Sequence, residues 1–248
     1  MGNNITTDIE GIIRELNISE TDVMYPFYEA IVNSIQAIDE RNDVSFQGKI
    51  SVYIERDKSQ KELFEQNNHF PISSIRIIDN GIGFTQSNYE SFVKAHSTKK
   101  LHLGGKGLGR FAILSIFDTI TVSSITNSCA DNHISFTLSR KEGLSQPCIK
   151  TTKNQIRTDI LMDNINPKFK QVTAKYSQED IADNILSHCL LYYLNDNAPQ
   201  IEIIEDGLTI NLSNQFAPSD FIRHTYKQKI GDYEFVLYFV KNDRLFFT

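Results

Sequence analysis

A chain of 248 residues, 40% hydrophobic and 23% charged, is long enough for one large domain, or one domain with a smaller appendage, and for a core that needs no staples. Its net charge of −6 argues against a general nucleic-acid coat or a membrane-surface binder, while leaving room for a local basic patch. No apolar run approaches the ~18 residues that cross a bilayer. The three cysteines, Cys129, Cys148 and Cys189, form no CxxC pair, which predicts reduced, buried thiols and a cytoplasmic setting.

In chain order, residues 8–16 read as a short helix. A longer one runs from a cap at Ser19 or Thr21 to about Asp39, with Phe27, Ala30, Ile31, Ser34, Ile35 and Ile38 at helical spacing. Residues 49–56 alternate as a strand, and 58–69 are polar and loop-like. A β-rich run at 74–78 stops at Asp79-Asn80-Gly81, a turn signal. Residues 89–95 are expected to be helical, 97–109 a Gly/Lys loop, and 110–117 an apolar helix.

Strands are predicted at 119–123, 133–138 and 157–162. A helix is predicted at 177–194, opened by Ser177 and Asp180 at capping-box spacing. Two further strands, 200–204 and 208–212, flank Glu205-Asp206-Gly207, a hairpin signal. The last stretch, 232–248, is strand-rich and ends on apolar residues, from which a continuation of the chain is expected.

Three constellations could carry chemistry. Glu29 and Asn33 stand four apart, so a carboxylate and a carboxamide project from one face of an otherwise apolar helix. Alone, that is a solvated helix edge. Its functional reading is a water-orienting carboxylate beside an oxygen ligand for a hard cation.

Asp79-Asn80-Gly81-Ile82-Gly83-Phe84 follows a strand. An aspartate there can accept from an exocyclic amine, and glycines let backbone approach a ligand closely. Alone, it is as readily a plain turn.

The third is cationic. Between Ser91 and Arg110 lie five Lys/Arg and no acid, leaving 20 basic against 31 acidic residues elsewhere. Gly104-Gly105-Lys106-Gly107-Leu108-Gly109-Arg110 opens a helix, and free N–H groups at a helix start favour phosphate. No Ser/Thr follows Gly-Lys, so this is not a P-loop, and the preceding strand of a dinucleotide fingerprint is missing.

In this order the three blocks resemble the ATP-binding domain shared by gyrase-type topoisomerases, Hsp90 chaperones, histidine kinases and MutL, the GHKL superfamily with the Bergerat fold. Glu29-x-x-x-Asn33 resembles the N-box, Asp79 to Phe84 the first glycine box, and Gly105-Lys106-Gly107-Leu108-Gly109 the second glycine box and lid. Lys94 through Val122 is most similar to the Hsp90-like branch. Thr158 resembles the threonine of the later Gly-Thr strand, although Arg157 stands where the family usually has glycine, and Gln36 stands where many members carry an acid.

The resemblance implies an α/β two-layer sandwich, a mixed sheet with helices on one face. Residues 1–198 would form the ATP-binding domain, and 199–248 a β-rich extension opening a transducer or middle domain. It implies ATP and Mg²⁺ as ligands. Glu29 would activate water and Asn33 would supply an oxygen to Mg²⁺. Asp79 would accept the adenine amine beside Thr158, with Gly81 and Gly83 keeping the base pocket clear. Lys106, with the N–H groups of Gly107, Leu108 and Gly109 after Gly105, would hold phosphates, and Lys99 or Lys100 would close over them.

None of the residues before Glu29 is a histidine that could accept a phosphoryl group, so slow hydrolysis driving lid closure or ATP-dependent homodimerisation is expected rather than phosphotransfer. A non-hydrolysing ATP-gated interaction module and a DNA-processing clamp of the MutL or topoisomerase type are the alternatives. Of these, net charge gives the clamp no support. His188 and Cys189 read as core packing.

Overall fold

Strict alternation of buried and open residues builds the sheet. In β1 (Lys49–Arg56), Ile50, Val52 and Ile54 are buried while Ser51 and Tyr53 face the other way. In β2 (Ile72–Asp79), Ile75 and Ile77 repeat the pattern and Arg76 faces solvent. One face is therefore apolar over most of its length, with Asp79 its polar end on β2, and the other largely polar, as expected of a sheet covered on one side. The computed structural model describes residues 9–41, 46–60, 69–93, 108–216 and 222–240.

The further strands are β3 (Phe117–Ile125), β4 (His133–Ser139), β5 (Gly143–Leu144), β6 (Cys148–Lys150), β7 (Arg157–Ile165), β8 (Gln200–Glu205) and β9 (Leu208–Asn211). They form one sheet in the order β5-β4-β3-β7-β2-β1-β8-β9, with β6 also on β4. Only the β1–β8 pairing is parallel, so the sheet is mixed. On its outer face Asp159 of β7 holds Arg76 through bonds of 2.8 and 2.6 Å and Arg157 at 2.9 Å.

The covering helices are α1 (Ile9–Leu16), α2 (Tyr25–Arg41), α3 (Gln86–Val93), α4 (Gly109–Ile116), α5 (Pro167–Thr173), α6 (Gln178–His188), α7 (Leu190–Leu194) and α8 (Leu212–Gln215). Helix α2 buries Phe27, Ala30, Ile31, Ser34 and Ile35 and packs on β1, β2 and α4. The expected α/β sandwich is thus present.

The capping box at α6 is formed on both sides: Asp180 N–H donates to Ser177 Oγ at 3.0 Å, and Ser177 N–H to Asp180 Oδ2 at 2.9 Å. The single helix expected over 177–194 is two. Cys189 leaves helical dihedrals (φ −95°, ψ 8°) between α6 and α7. The sequence hides this break, because Ile185, Cys189 and Tyr193 keep helical spacing through it and all are buried.

Asp206 and Gly207 both have positive φ (49° and 81°) and close the β8–β9 hairpin as a two-residue turn of the primed kind. Strands β10 (Ile222–Ile230) and β11 (Tyr233–Val240) form a separate two-stranded sheet. The Tyr238 hydroxyl of β11 reaches the Leu194 carbonyl at 3.4 Å and Asn195 Oδ1 at 3.2 Å. No described helix is long and apolar enough to cross a membrane.

Candidate functional site

A cavity of about 260 Å³ opens between α2, the turn after β2, and the start of α4, above β3 and β7. Part of its lining is polar. Asp79, the last residue of β2, is 3% exposed, and both its oxygens are engaged: Ser34 Oγ of α2 donates to Oδ2 at 3.0 Å and Gly81 N–H to Oδ1 at 2.9 Å.

Sheet register sets Asp79 opposite Thr158, and Thr158 opposite Ser124. The Ser124 and Thr158 hydroxyls lie 3.1 Å apart, and Ser124 Oγ accepts from Phe84 N–H at 2.8 Å. Two hydroxyls and a carboxylate from three adjacent strands therefore meet here, with Asp79 and Thr158 lining the cavity and Ser124 behind them.

The turn between β2 and α3 requires its glycines. A methyl group on Gly81 would lie 2.6 Å from the Ala37 carbonyl carbon, and Ile82 N–H donates to Ala37 O at 2.8 Å, pinning the turn on α2. Gly83 has φ +81°, and a methyl group there would lie 2.8 Å from Ser124 Oγ. Its carbonyl accepts from Asn88 Nδ2 at 3.0 Å, which fixes the entry to α3. Apolar walls come from Phe84, Phe92, Ile113, Ile120, Val122 and Ile160.

The same cavity is lined by Glu29 and Asn33, which precede Ser34 along α2, and by Gly109 and Arg110 of α4. Leu108, the N-cap of α4, contributes no side-chain cap; its carbonyl receives the N–H groups of Phe111 (2.9 Å) and Ala112 (3.0 Å). The N–H groups of Gly109 and Arg110 precede that ladder and present the positive end of the helix dipole. The Arg110 guanidinium lies 4.4 Å over the Phe111 ring. Burial lowers its pKa to about 10, so it stays charged at neutral pH.

Glu29 is held below the ordinary carboxylate range, first by the approach of His188, against the opposing effect of burial, and further by the Tyr25 hydroxyl. His188 Nε2 stands 3.6 Å from Glu29 Oε1.

Of the residues singled out in the sequence, Glu29, Asn33, Asp79, Gly83, Gly109 and Thr158 line this one cavity. Gly81 lies behind it against α2, and Leu108 caps α4 without lining the wall. Lys99, Gly105, Lys106 and Gly107 lie outside the described residues. Sequence reasoning missed Ser34, Ser124 and Arg110 as site residues. A hydroxyl on the buried side of an apolar helix was the available signal for Ser34. The signal for Arg110 was its place at the end of the cationic stretch. Ser124 carried none.

A sheet covered by helices on one face, with a cavity lined by a buried acid and by a helix N-terminus, defines an α/β sandwich with a pocket between its layers. The family model for histidine kinase-, DNA gyrase B- and HSP90-like ATPases matches residues 26–170, more than half the chain, and the protein belongs to that family. The matched stretch runs from the second residue of α2 into α5, so it contains every residue named above as lining the cavity. No individual curated protein matches the chain. ATP binding is the activity that this family domain implies.

Proposed function

We propose that the cavity binds Mg·ATP and hydrolyses it slowly, and that the bound nucleotide drives closure of the segment before α4. The carrying observation is that one cavity gathers two polar sets: a buried, twice-bonded Asp79 beside Thr158, and Glu29, Asn33, Arg110 and the start of α4.

In this reading Asp79 accepts the adenine amino group. Its two oxygens are oriented in advance by Ser34 and Gly81, so little ordering is left for binding. Thr158 adds a hydroxyl at the same end. The apolar walls take the base, and Gly81 and Gly83 keep the turn low enough to leave that space.

The donor set around Asn33 fits a hard cation. Asn33 offers an amide oxygen, and a magnesium ion is ordinarily held by one or two protein oxygens plus phosphates and water. When bound, the ion neutralises phosphate charge. Glu29 orients the attacking water. Arg110, the N–H groups of Gly109 and Leu108, and Gly105, Lys106, Gly107 and Lys99 from the preceding segment hold phosphate oxygens. Such a reaction needs mainly positioning and charge stabilisation. The similarity of that segment to the Hsp90-like branch supports a lid role for it.

The pocket-bearing unit extends past residue 198 in this reading, because β8 pairs with β1 inside the main sheet. The β10–β11 hairpin then begins the following segment. The expectation of buried thiols holds for Cys189 alone, since Cys129 and Cys148 are exposed; free thiols at all three accord with a cytoplasmic setting.

An ATP-gated interaction module is the second reading. It is favoured by the aromatic surface of that hairpin, where Tyr233 is 75% and Phe239 56% exposed. One experiment addresses both. Phosphate release is measured alongside calorimetric titration with Mg·ATP, and molecular mass is measured with and without a non-hydrolysable analogue. Saturable binding with turnover abolished in Glu29→Ala supports the ATPase. Binding without turnover but with analogue-dependent dimers supports the gated module. Absence of nucleotide binding sinks both.

A further inference from the structure

The Glu29 carboxylate is gripped from outside the pocket. His188 is the last residue of α6 and does not line the cavity, yet its Nε2 lies 3.6 Å from Glu29 Oε1. That is just beyond the reach of a formed hydrogen bond. Catalytic contacts are often long before the ligand arrives and tighten once it binds.

The imidazole is seated by two rings of α2. Tyr25 meets it edge-on at 5.7 Å, and Tyr28 lies tilted against it at 5.7 Å. Tyr25, one turn before Glu29, also directs its hydroxyl at the same carboxylate. Two side chains, His188 and Tyr25, thus converge on the Glu29 carboxylate at the rim of the pocket, and Tyr28 backs the imidazole.

The titratable groups around the pair are neutral except for Arg110. From α2 it is faced by Tyr25 and Tyr28, from the α6–α7 junction by Cys189, from α7 by Tyr192, and across the cavity from α4 by Arg110. Burial raises all three tyrosines and pushes the Cys189 thiol up to about 12, so these four are neutral at physiological pH while Arg110 is charged.

We propose that His188 is a positioning residue for ATP hydrolysis, holding the Glu29 carboxylate against the cavity wall so that it faces the phosphate end. The proposal rests on the assignment of Glu29 given above. It places control of that carboxylate on a helix beyond the family-matched stretch of 26–170. The next helix, α7, is the one whose end the hairpin residue Tyr238 touches.

The test compares wild type, H188F, H188Q and E29A as full chains. H188F keeps a ring between Tyr25 and Tyr28 but no donor, and H188Q restores an N–H at nearly the same reach. Phosphate release gives kcat and KM, calorimetry with a non-hydrolysable analogue gives Kd, and carbon-13 NMR follows the Glu29 carboxyl.

The expected result is a kcat about 10- to 100-fold lower in H188F. Kd should be unchanged, activity should return in H188Q, and the Glu29 resonance should move, with its titration midpoint higher. Equal kcat in H188F and wild type overturns the proposal while E29A inactivity keeps the ATPase reading. A parallel loss of kcat and Kd reduces His188 to a packing role and also overturns it. An unmoved Glu29 resonance overturns it whether or not turnover is seen. Full activity in E29A overturns the assignment of Glu29 itself.

Discussion

Ser34 donates a 3.0 Å hydrogen bond to Asp79 across 45 residues of sequence, and both side chains are almost fully buried. The hydroxyl occupies one carboxylate oxygen and Gly81 N–H the other, so the carboxylate cannot rotate away from the cavity. In Asp79→Asn the amide nitrogen stands against either the Gly81 N–H, a second donor, or Ser34 Oγ, which must turn to accept, and an incoming amine meets a donor on that side in place of an acceptor. Leaving such a group unsatisfied costs about 1–3 kcal/mol. Nucleotide affinity measured by calorimetry is expected to fall by at least about tenfold in this variant. Wild-type affinity would refute the adenine assignment. Ser34→Ala, which removes one orienting bond, should weaken binding less than Asp79→Asn.

Glu29→Ala should separate binding from turnover. The carboxylate lies at the end of the cavity away from Asp79 in our reading, so its loss leaves the base pocket intact. Kd for a non-hydrolysable analogue is expected to stay near that of wild type while phosphate release drops by about 100-fold or more. Undiminished turnover removes Glu29 from the mechanism.

Asn33→Ala tests the cation. Mg·ATP should bind more weakly, with the loss shrinking when magnesium is withdrawn by a chelator, because the variant lacks only the oxygen that serves the ion. A loss of the same size with and without magnesium would argue that Asn33 acts on the nucleotide directly.

Gly83→Ala is a stability prediction. Residue 83 has φ +81°, and the added methyl would press on Ser124 Oγ, the atom that receives Phe84 N–H and meets Thr158. Strain of this kind costs roughly 1–3 kcal/mol. Thermal unfolding should show a lower Tm, and nucleotide affinity should fall with it. An unchanged Tm would mean that the turn relaxes freely.

The depressed Glu29 pKa fixes a sign for pH dependence. A carboxyl whose pKa is lower folded than unfolded adds stability above its unfolded value, and loses that contribution as pH falls through the folded one. Compared with Glu29→Gln, the wild type should therefore have its full advantage in denaturant midpoint at neutral pH. The advantage should shrink only as the medium is acidified past the ordinary carboxylate range. An advantage that persisted undiminished in strongly acidic medium would contradict a depressed Glu29 pKa.

Much of the local structure was legible because it depends on neighbours in sequence. The strand over 49–56 shows its alternation openly, and the Ser177/Asp180 box and the Asp206-Gly207 turn need only three or four residues to declare themselves. Strand β10 was not legible. Its Lys227, Gln228 and Lys229 dilute any apolar pattern, and it is held by pairing with β11 rather than by a buried face. Helix α5 was missed although Asn166 caps it and Pro167 opens it, because the stretch between β7 and α6 offered no periodicity long enough to notice.

The sequence by itself determined which residue types the pocket would hold and in what order along the chain they would come: a carboxylate and carboxamide one helical turn apart, an aspartate ending a strand before two glycines, and a glycine-rich cationic run before a helix. It could do so because each of those features is a local pattern. Tertiary structure alone decided that Ser34 would orient Asp79, that Ser124 would stand beside Thr158, that β8 would lie parallel to β1, and that His188 would close on Glu29. Those contacts join segments far apart in the chain. Sheet register and helix packing bring them together, and no spacing of neighbouring residues encodes either.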